Sequence, residues 1–124
     1  MPVILIIEDS DDVTALEIAL ASLAGSSTKI VNDGRQALAI LDANHQEIAA
    51  VITDLHLPTI DGFDVLAAIR RHHRYGKLPI IVVSGDSDPN VRTRVYDLGA
   101  NAFFTKPYSP STIRQTLEGL LYAP

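Results

Sequence analysis

Four stretches of this 124-residue chain set reactive side chains directly behind short apolar runs. Glu8-Asp9 follows Val3-Ile4-Leu5-Ile6-Ile7 and precedes Asp11-Asp12. Asp54 follows Ala49-Ala50-Val51-Ile52 and opens Asp54-Leu55-His56-Leu57-Pro58. Ser84-Gly85-Asp86 follows Ile80-Ile81-Val82-Val83, and Lys106-Pro107 follows the mixed segment Ala102 to Thr105. Brought to one place, these groups have a definite chemistry. Two carboxylates about 5 Å apart repel by about 3 kcal/mol at an effective dielectric near 20. Glu8, Asp9 and Asp54 carry three negative charges, and Lys106 returns one. Such a cluster is relieved by a raised pKa or by a cation. An all-oxygen donor set at a wet edge favours Mg²⁺ or Mn²⁺ over zinc. A divalent ion and an ammonium beside one carboxylate suit phosphoryl transfer, with Asp54 as the in-line nucleophile.

The elements that must position these groups follow from the hydrophobic pattern. Val3–Ile7, Ala49–Ile52 and Ile80–Val83 are apolar throughout and rich in β-branched residues, as strands buried on both faces are. Thr28 to Asn32 and Ala102 to Thr105 are mixed and suit the edges of a sheet. Between the strands, apolar residues recur at helical spacing: Val13, Leu16, Leu20 and Leu23; Ala37, Leu38 and Leu41; Phe63, Leu66 and Ile69; Val91, Val95 and Leu98; Ile113, Leu117 and Leu120. Asp88-Pro89 and Ser109-Pro110 are helix starts, Gly25, Gly76 and Gly99 are expected helix stops, and Asp11 and Asp12 suit the first turn of the first helix. Alternating strands and helices predict a single α/β domain over residues 1–124, a doubly wound five-stranded parallel sheet with five helices. Apolar strands at the centre and mixed ones outside are compatible with strand order 2-1-3-4-5, in which ligands bind beyond the carboxyl ends of the strands.

Composition narrows the function classes. With no cysteine, disulfides, thiolate zinc sites and thiol nucleophiles are excluded. The longest apolar runs fall far short of the ~20 residues of a membrane span, and Met1-Pro2-Val3 carries neither a basic region nor a cleavable apolar segment. A cytoplasmic location without membrane contact is expected. A net charge of −5 argues against sequence-independent nucleic-acid binding.

Glu8-Asp9, Asp54-Leu55-His56-Leu57-Pro58 with Asp61-Gly62, Ser84-Gly85, and Gly99-Ala100 ahead of Lys106-Pro107 together resemble the receiver domain of two-component response regulators, the CheY-like fold. The likeness spans essentially the whole chain. It implies that Asp54 is the phosphoryl acceptor and that Asp9 ligates Mg²⁺ (or Mn²⁺) directly. Glu8 would act mostly through water, and the His56 main-chain carbonyl would complete the set with Asp54. Lys106 would pair with the acceptor, Ser84 would reorient toward the phosphoryl group, and Phe103 would turn inward into the space Ser84 vacates. The Lys106-Pro107 bond is expected to be cis. The implied partners are a sensor histidine kinase or phosphotransfer protein, and a downstream effector or attached output domain. The readout surface would be the fourth helix, fifth strand and fifth helix. Chemistry would be confined to the chain's own phosphorylation and dephosphorylation. Alternatives are a degenerate receiver acting as a binding module and an aspartyl-phosphate phosphatase or phosphotransferase. The latter class usually places a second Asp where His56 stands here. A flavin module would need a glycine-rich phosphate loop that the sequence lacks.

The chain departs from common receiver patterns at four points. Phe103 replaces Tyr, Gly85 replaces Ala, Leu57 replaces Met, and Asn101-Ala102 replaces an acidic pair. His56 and Asp86 flank the site and are expected to set the dephosphorylation rate. The basic cluster Arg70-Arg71-His72-His73-Arg74 with Lys77 reads as a solvated helix end opposing the helix dipole. Its adjacent histidines are expected to diverge on the helix.

Overall fold

The computed structural model describes residues 2–8, 13–23 and 25–122. Asp9, Asp11 and Asp12 lie outside the described residues. Five strands, β1 (Val3–Ile7), β2 (Ser27–Val31), β3 (Ile48–Asp54), β4 (Ile80–Ser84) and β5 (Ala102–Thr105), form one parallel sheet in the order β2-β1-β3-β4-β5. The helices are α1 (Val13–Leu20), α2 (Gly34–Asn44), α3 (Gly62–Arg71), α4 (Pro89–Asp97) and α5 (Pro110–Tyr122), with a short 3₁₀ turn at His45–Glu47. The three all-apolar runs are the central strands, and the mixed segments are the edges.

The period-2 alternation of side chains divides the core between the two faces of the sheet. Leu5, Ile7, Val51, Ile80, Val82 and Phe103 face α2, α3 and α4, where they meet Ala37, Leu41, Val65, Leu66, Ile69 and Val95. Ile4, Ile6, Ala50, Ile52, Ile81 and Val83 face the other way, against Leu16 and Leu20 of α1 and Ile113 and Leu117 of α5. Because both faces are covered, the central strands β1, β3 and β4 are apolar up to their carboxyl ends, where Thr53, Asp54 and Ser84 stand.

Helix starts follow the predicted chemistry. Asp88 accepts from the Asn90 N–H with Pro89 in the first turn. Asp33 accepts from Arg35 and Gln36, and Asp61 accepts from Asp64. Each such cap is worth about 1 kcal/mol. The stops differ. Gly99, at φ +105°, follows α4 as expected. Helix α1, however, ends at Leu20, and residues 21–23 continue as turns before Gly25 (φ +76°) leads into β2. Leu23 remains buried beyond the helix end. Helix α3 ends at Arg71 with His72 extended, so Gly76 belongs to the following turn rather than to a cap. Asn32 falls just outside β2.

Candidate functional site

Strand register brings the reactive groups to one edge. Ile7 of β1 pairs with Thr53 of β3, Asp54 pairs with Val83 of β4, and Ser84 pairs with Thr105 of β5. Glu8, Asp54, Ser84 and Lys106 therefore leave the sheet at neighbouring strand ends. The Glu8 N–H continues the ladder to the Val31 carbonyl at 2.9 Å, and the Lys106 N–H reaches the Ser84 carbonyl at 2.7 Å.

Lys106 is the centre of the cluster. Its Nζ lies 2.6 Å from Asp54 Oδ2 and 3.0 Å from Glu8 Oε1. Glu8 and Asp54 are each only 5% exposed, although both are ionisable. Asp54 Oδ1 accepts the His56 N–H at 3.1 Å, which folds the chain back at the end of β3. Burial pushes the Asp54 carboxyl up. Hydrogen bonds from Lys106, Glu8 and the His56 N–H outweigh burial and hold it below its ordinary value. Burial and the neighbouring Asp54 push Glu8 the other way, above its ordinary value. Burial lowers Lys106, but the two carboxyls more than reverse this and raise it. The proton shared between the acids thus favours Glu8 and leaves Asp54 as the anion, the nucleophilic form.

Ser84 is buried, and its Oγ accepts the Asp86 N–H at 3.0 Å. Asp86 in turn accepts from Asp88, whose side chain caps α4. A chain of short turns thus links Ser84 to the start of α4. Phe103 already lies inward at 5% exposed, packed in the core face beneath α4, with the Arg92 guanidinium 5.8 Å from its ring centre. The ring is buried while Ser84 still keeps its place, with its Oγ on the Asp86 N–H. The Lys106-Pro107 bond is cis. The His56 side chain is exposed.

The loop from Asp54 to α3 is tightly drawn. Gly62 donates to the Leu55 carbonyl at 2.9 Å, and a side chain there would collide with the Asp54 carbonyl. Thr59 adopts φ +69°, a left-handed conformation that costs a β-branched residue roughly 1–3 kcal/mol. Its Oγ1 donates to Asp33 Oδ1 at 2.9 Å. Sequence reasoning passed over both residues. Asp33-Gly34 carries a helix-cap signal, but nothing in the order of residues marks its meeting with Thr59.

The donor set fits a small divalent cation in chemistry. Glu8 and Asp54 are oxygen donors crowded together, and the His56 turn sits beside them. Among the described residues no three His, Asp or Glu side chains converge on one point, and Asp9, the expected direct ligand, lies outside them.

Arg71, His73, Arg74 and Lys77 of the basic cluster are exposed as expected, but Arg70 and the histidine pair differ. Arg70 is no solvated charge: its guanidinium donates to the carbonyls of Gly99 (2.9 Å), Gly76 (3.0 Å) and Leu78 (2.7 Å) and to Asn101 Oδ1 (3.0 Å). Asn101 Oδ1 also accepts the Ile80 N–H at 2.8 Å, tying the start of β4 to the same cluster. Because α3 ends at Arg71, His72 and His73 do not diverge; they stack with ring centres 5.0 Å apart. His72 also stacks on Tyr75 at 3.8 Å, and the Tyr75 hydroxyl donates to Asp42 at 2.6 Å. Burial and Asp42 push this phenol well above its usual value.

Comparison with known proteins agrees with this arrangement. The family model of the response regulator receiver domain matches residues 4–118. The transcriptional regulatory protein GltR of Pseudomonas aeruginosa is 33% identical over 95% of this chain and 48% of its own length. The chain spans about half the length of the first curated relatives it matches. The phosphorylated cyanobacterial phytochrome response regulator RcpA superposes with a TM-score of 0.84 at 29% identity, over 98% of this chain and 94% of that one. The Mn²⁺-bound form of response regulator Rcp1 gives 0.84 at 25% identity, over 100% and 97%. With the sheet order, the strand-end residues and the match over nearly all of its length in agreement, the chain belongs to the receiver-domain family of the response regulators.

Proposed function

We propose that the chain is a single receiver module, residues 1–124, that accepts a phosphoryl group on Asp54 from the phosphohistidine of a sensor kinase or phosphotransfer protein. The observation that carries this reading is a nearly buried Asp54 held anionic against Lys106 at 2.6 Å with Glu8 beside it. In the transfer, Asp54 Oδ attacks phosphorus as the N–P bond of the donor breaks, and the freed imidazole takes a proton. The Lys106 ammonium neutralises charge on the phosphoryl oxygens. Mg²⁺ or Mn²⁺, held by Asp9, Glu8 through water, Asp54 and the His56 carbonyl, would neutralise the remaining charge.

Phosphorylation adds up to one further negative charge and three acceptor oxygens. It favours the conformation in which Ser84 Oγ turns from the Asp86 N–H to the phosphoryl group. The turns linking Ser84 to α4 carry that change to the surface of α4, β5 and α5, which an effector or an attached output domain reads. With Phe103 already inward, the readout lies in the β4–α4 turns and α4 rather than in burial of this ring. His56 and Asp86 flank the path of the attacking water and set the dephosphorylation rate. The chain catalyses only its own modification, binds no nucleic acid directly, and works in the cytoplasm. Similarity to transcriptional regulatory proteins supports a regulatory role. Among the described residues no helix is long and apolar enough to cross a membrane.

The test is incubation with acetyl phosphate or phosphoramidate and Mg²⁺, followed by intact mass. A gain of one phosphoryl group that disappears in Asp54→Asn is expected. No gain in the wild type, or an equal gain in Asp54→Asn, contradicts the proposal.

A further inference from the structure

We propose that Thr59 and Asp33 form a latch that positions the loop between Asp54 and Gly62, and thereby the His56 carbonyl and Asp54 carboxylate, for a divalent cation; its second half rests on the function proposed above. Three observations meet here. Thr59 is exposed, so no core packing demands its left-handed backbone, and a β-branched residue is among the worst choices for that conformation. Strain of this kind persists only where its surroundings over-determine it. What holds Thr59 is its hydroxyl, which donates to Asp33 Oδ1 at 2.9 Å, while the Arg35 N–H approaches the same hydroxyl at 3.4 Å. Next to this contact, Gly34 lies flush against Ile60: a Cβ at residue 34 would stand 2.6 Å from Ile60 Cγ1 and 2.7 Å from the Ile60 carbonyl. Two consecutive residues at the start of α2 therefore grip two consecutive residues of the acceptor loop.

Leu55 is buried and Leu57 and Ile60 pack on the core, so what the latch adds is the placing of the exposed tip of the loop. Pro58 and Thr59 are exposed, and its internal bonds, Ile60 N–H to the Pro58 carbonyl and Gly62 N–H to the Leu55 carbonyl, both 2.9 Å, close it on itself rather than on the sheet. A hydroxyl, not merely a residue tolerant of positive φ, is thus required at residue 59. Glycine would take the backbone conformation more cheaply but has no side-chain donor. Thr59 and Asp33 touch neither the acceptor nor a metal; they are positioning residues.

The test uses the full chain and substitutions of Thr59, because Asp33 also caps α2 and its removal would mix two effects. Thr59→Val keeps the shape and strain and loses the hydroxyl. Thr59→Ser keeps the hydroxyl, and Thr59→Gly removes both strain and hydroxyl. In the metal-free protein, hydrogen exchange of the Gly62 amide is expected to quicken about tenfold in Thr59→Val and Thr59→Gly and to recover in Thr59→Ser, with the Val82 amide as control for global stability. Calorimetric Mg²⁺ affinity is expected to fall about tenfold in the same two variants, at the low end of the loss typical of residues supporting a ligand. Wild-type exchange in Thr59→Val, or restoration by Thr59→Gly, overturns the latch. Altered exchange with unchanged Mg²⁺ affinity overturns the positioning role. If the wild type itself takes up no Mg²⁺, the proposed function falls, and the exchange series still decides the latch.

Discussion

Lys106 settles a conflict between two buried carboxyls, and its removal exposes that conflict. Lys106→Met is expected to raise Asp54, to push Glu8 further up, and to destabilise the fold by about 2 kcal/mol. This is less than the roughly 3–5 kcal/mol of a fully buried pair, because Glu8 can take a proton. The pH dependence has a fixed sign. Lys106, raised, contributes stability that is complete below its unfolded value and lost as pH rises through the folded one. Asp54, lowered, contributes stability above its unfolded value that is lost as pH falls through the folded one. Glu8, raised, opposes Asp54 and costs stability as pH rises through its own range. Urea midpoints against pH should therefore fall at the alkaline end in the wild type, and that limb should shrink in Lys106→Met without vanishing, because the raised Tyr75 phenol also costs stability as pH rises above its unfolded value. An unchanged alkaline limb would contradict the assignment. At this scale the reactive residues were legible from their types and from the apolar runs before them, since a strand end is a local feature. Thr59 and Arg70 were not, because what defines each is a partner more than twenty residues away.

Elements were legible in proportion to how far burial decided their sequence. The three central strands, covered on both faces, could be nothing else, and their run lengths came within three residues of the observed spans. Helix ends were less so. Gly25 and Gly76 each carry a stop signal, yet α1 and α3 end five residues earlier, because where the last turn unwinds depends on packing and on what receives its carbonyls. At the end of α3 the His72 N–H donates to the Ile69 carbonyl, and Arg70 holds the turn that follows, through the Gly76 and Leu78 carbonyls. Burial lowers its pKa only from an already high value, so it stays charged while holding three carbonyls and Asn101. Arg70→Leu is expected to cost about 2–3 kcal/mol in urea denaturation, the loss of charged hydrogen bonds that leaves carbonyls unpaired. A change within about 0.5 kcal/mol, the ordinary range for a surface residue, would show that the arginine is solvated after all.

Across the whole molecule, topology does what no single element can. The order β2-β1-β3-β4-β5 sets Glu8 and Asp54 on neighbouring strands and brings Lys106 to them from the far edge, so three separate segments share one ion cluster. Arg70 and its partners stand at the opposite end of β4, where the strand begins. The end that gathers Glu8, Asp54 and Lys106 is where the proposed divalent cation would sit. The most direct measurement is a Mg²⁺ titration of the chain followed by backbone amide resonances. Saturable shifts should centre on residues 8–9, 54–58, 84–86 and 106, and should be strongly weakened in Asp54→Asn. Shifts that fail to saturate, or that spread evenly over the acidic surface without regard to Asp54, would contradict the account.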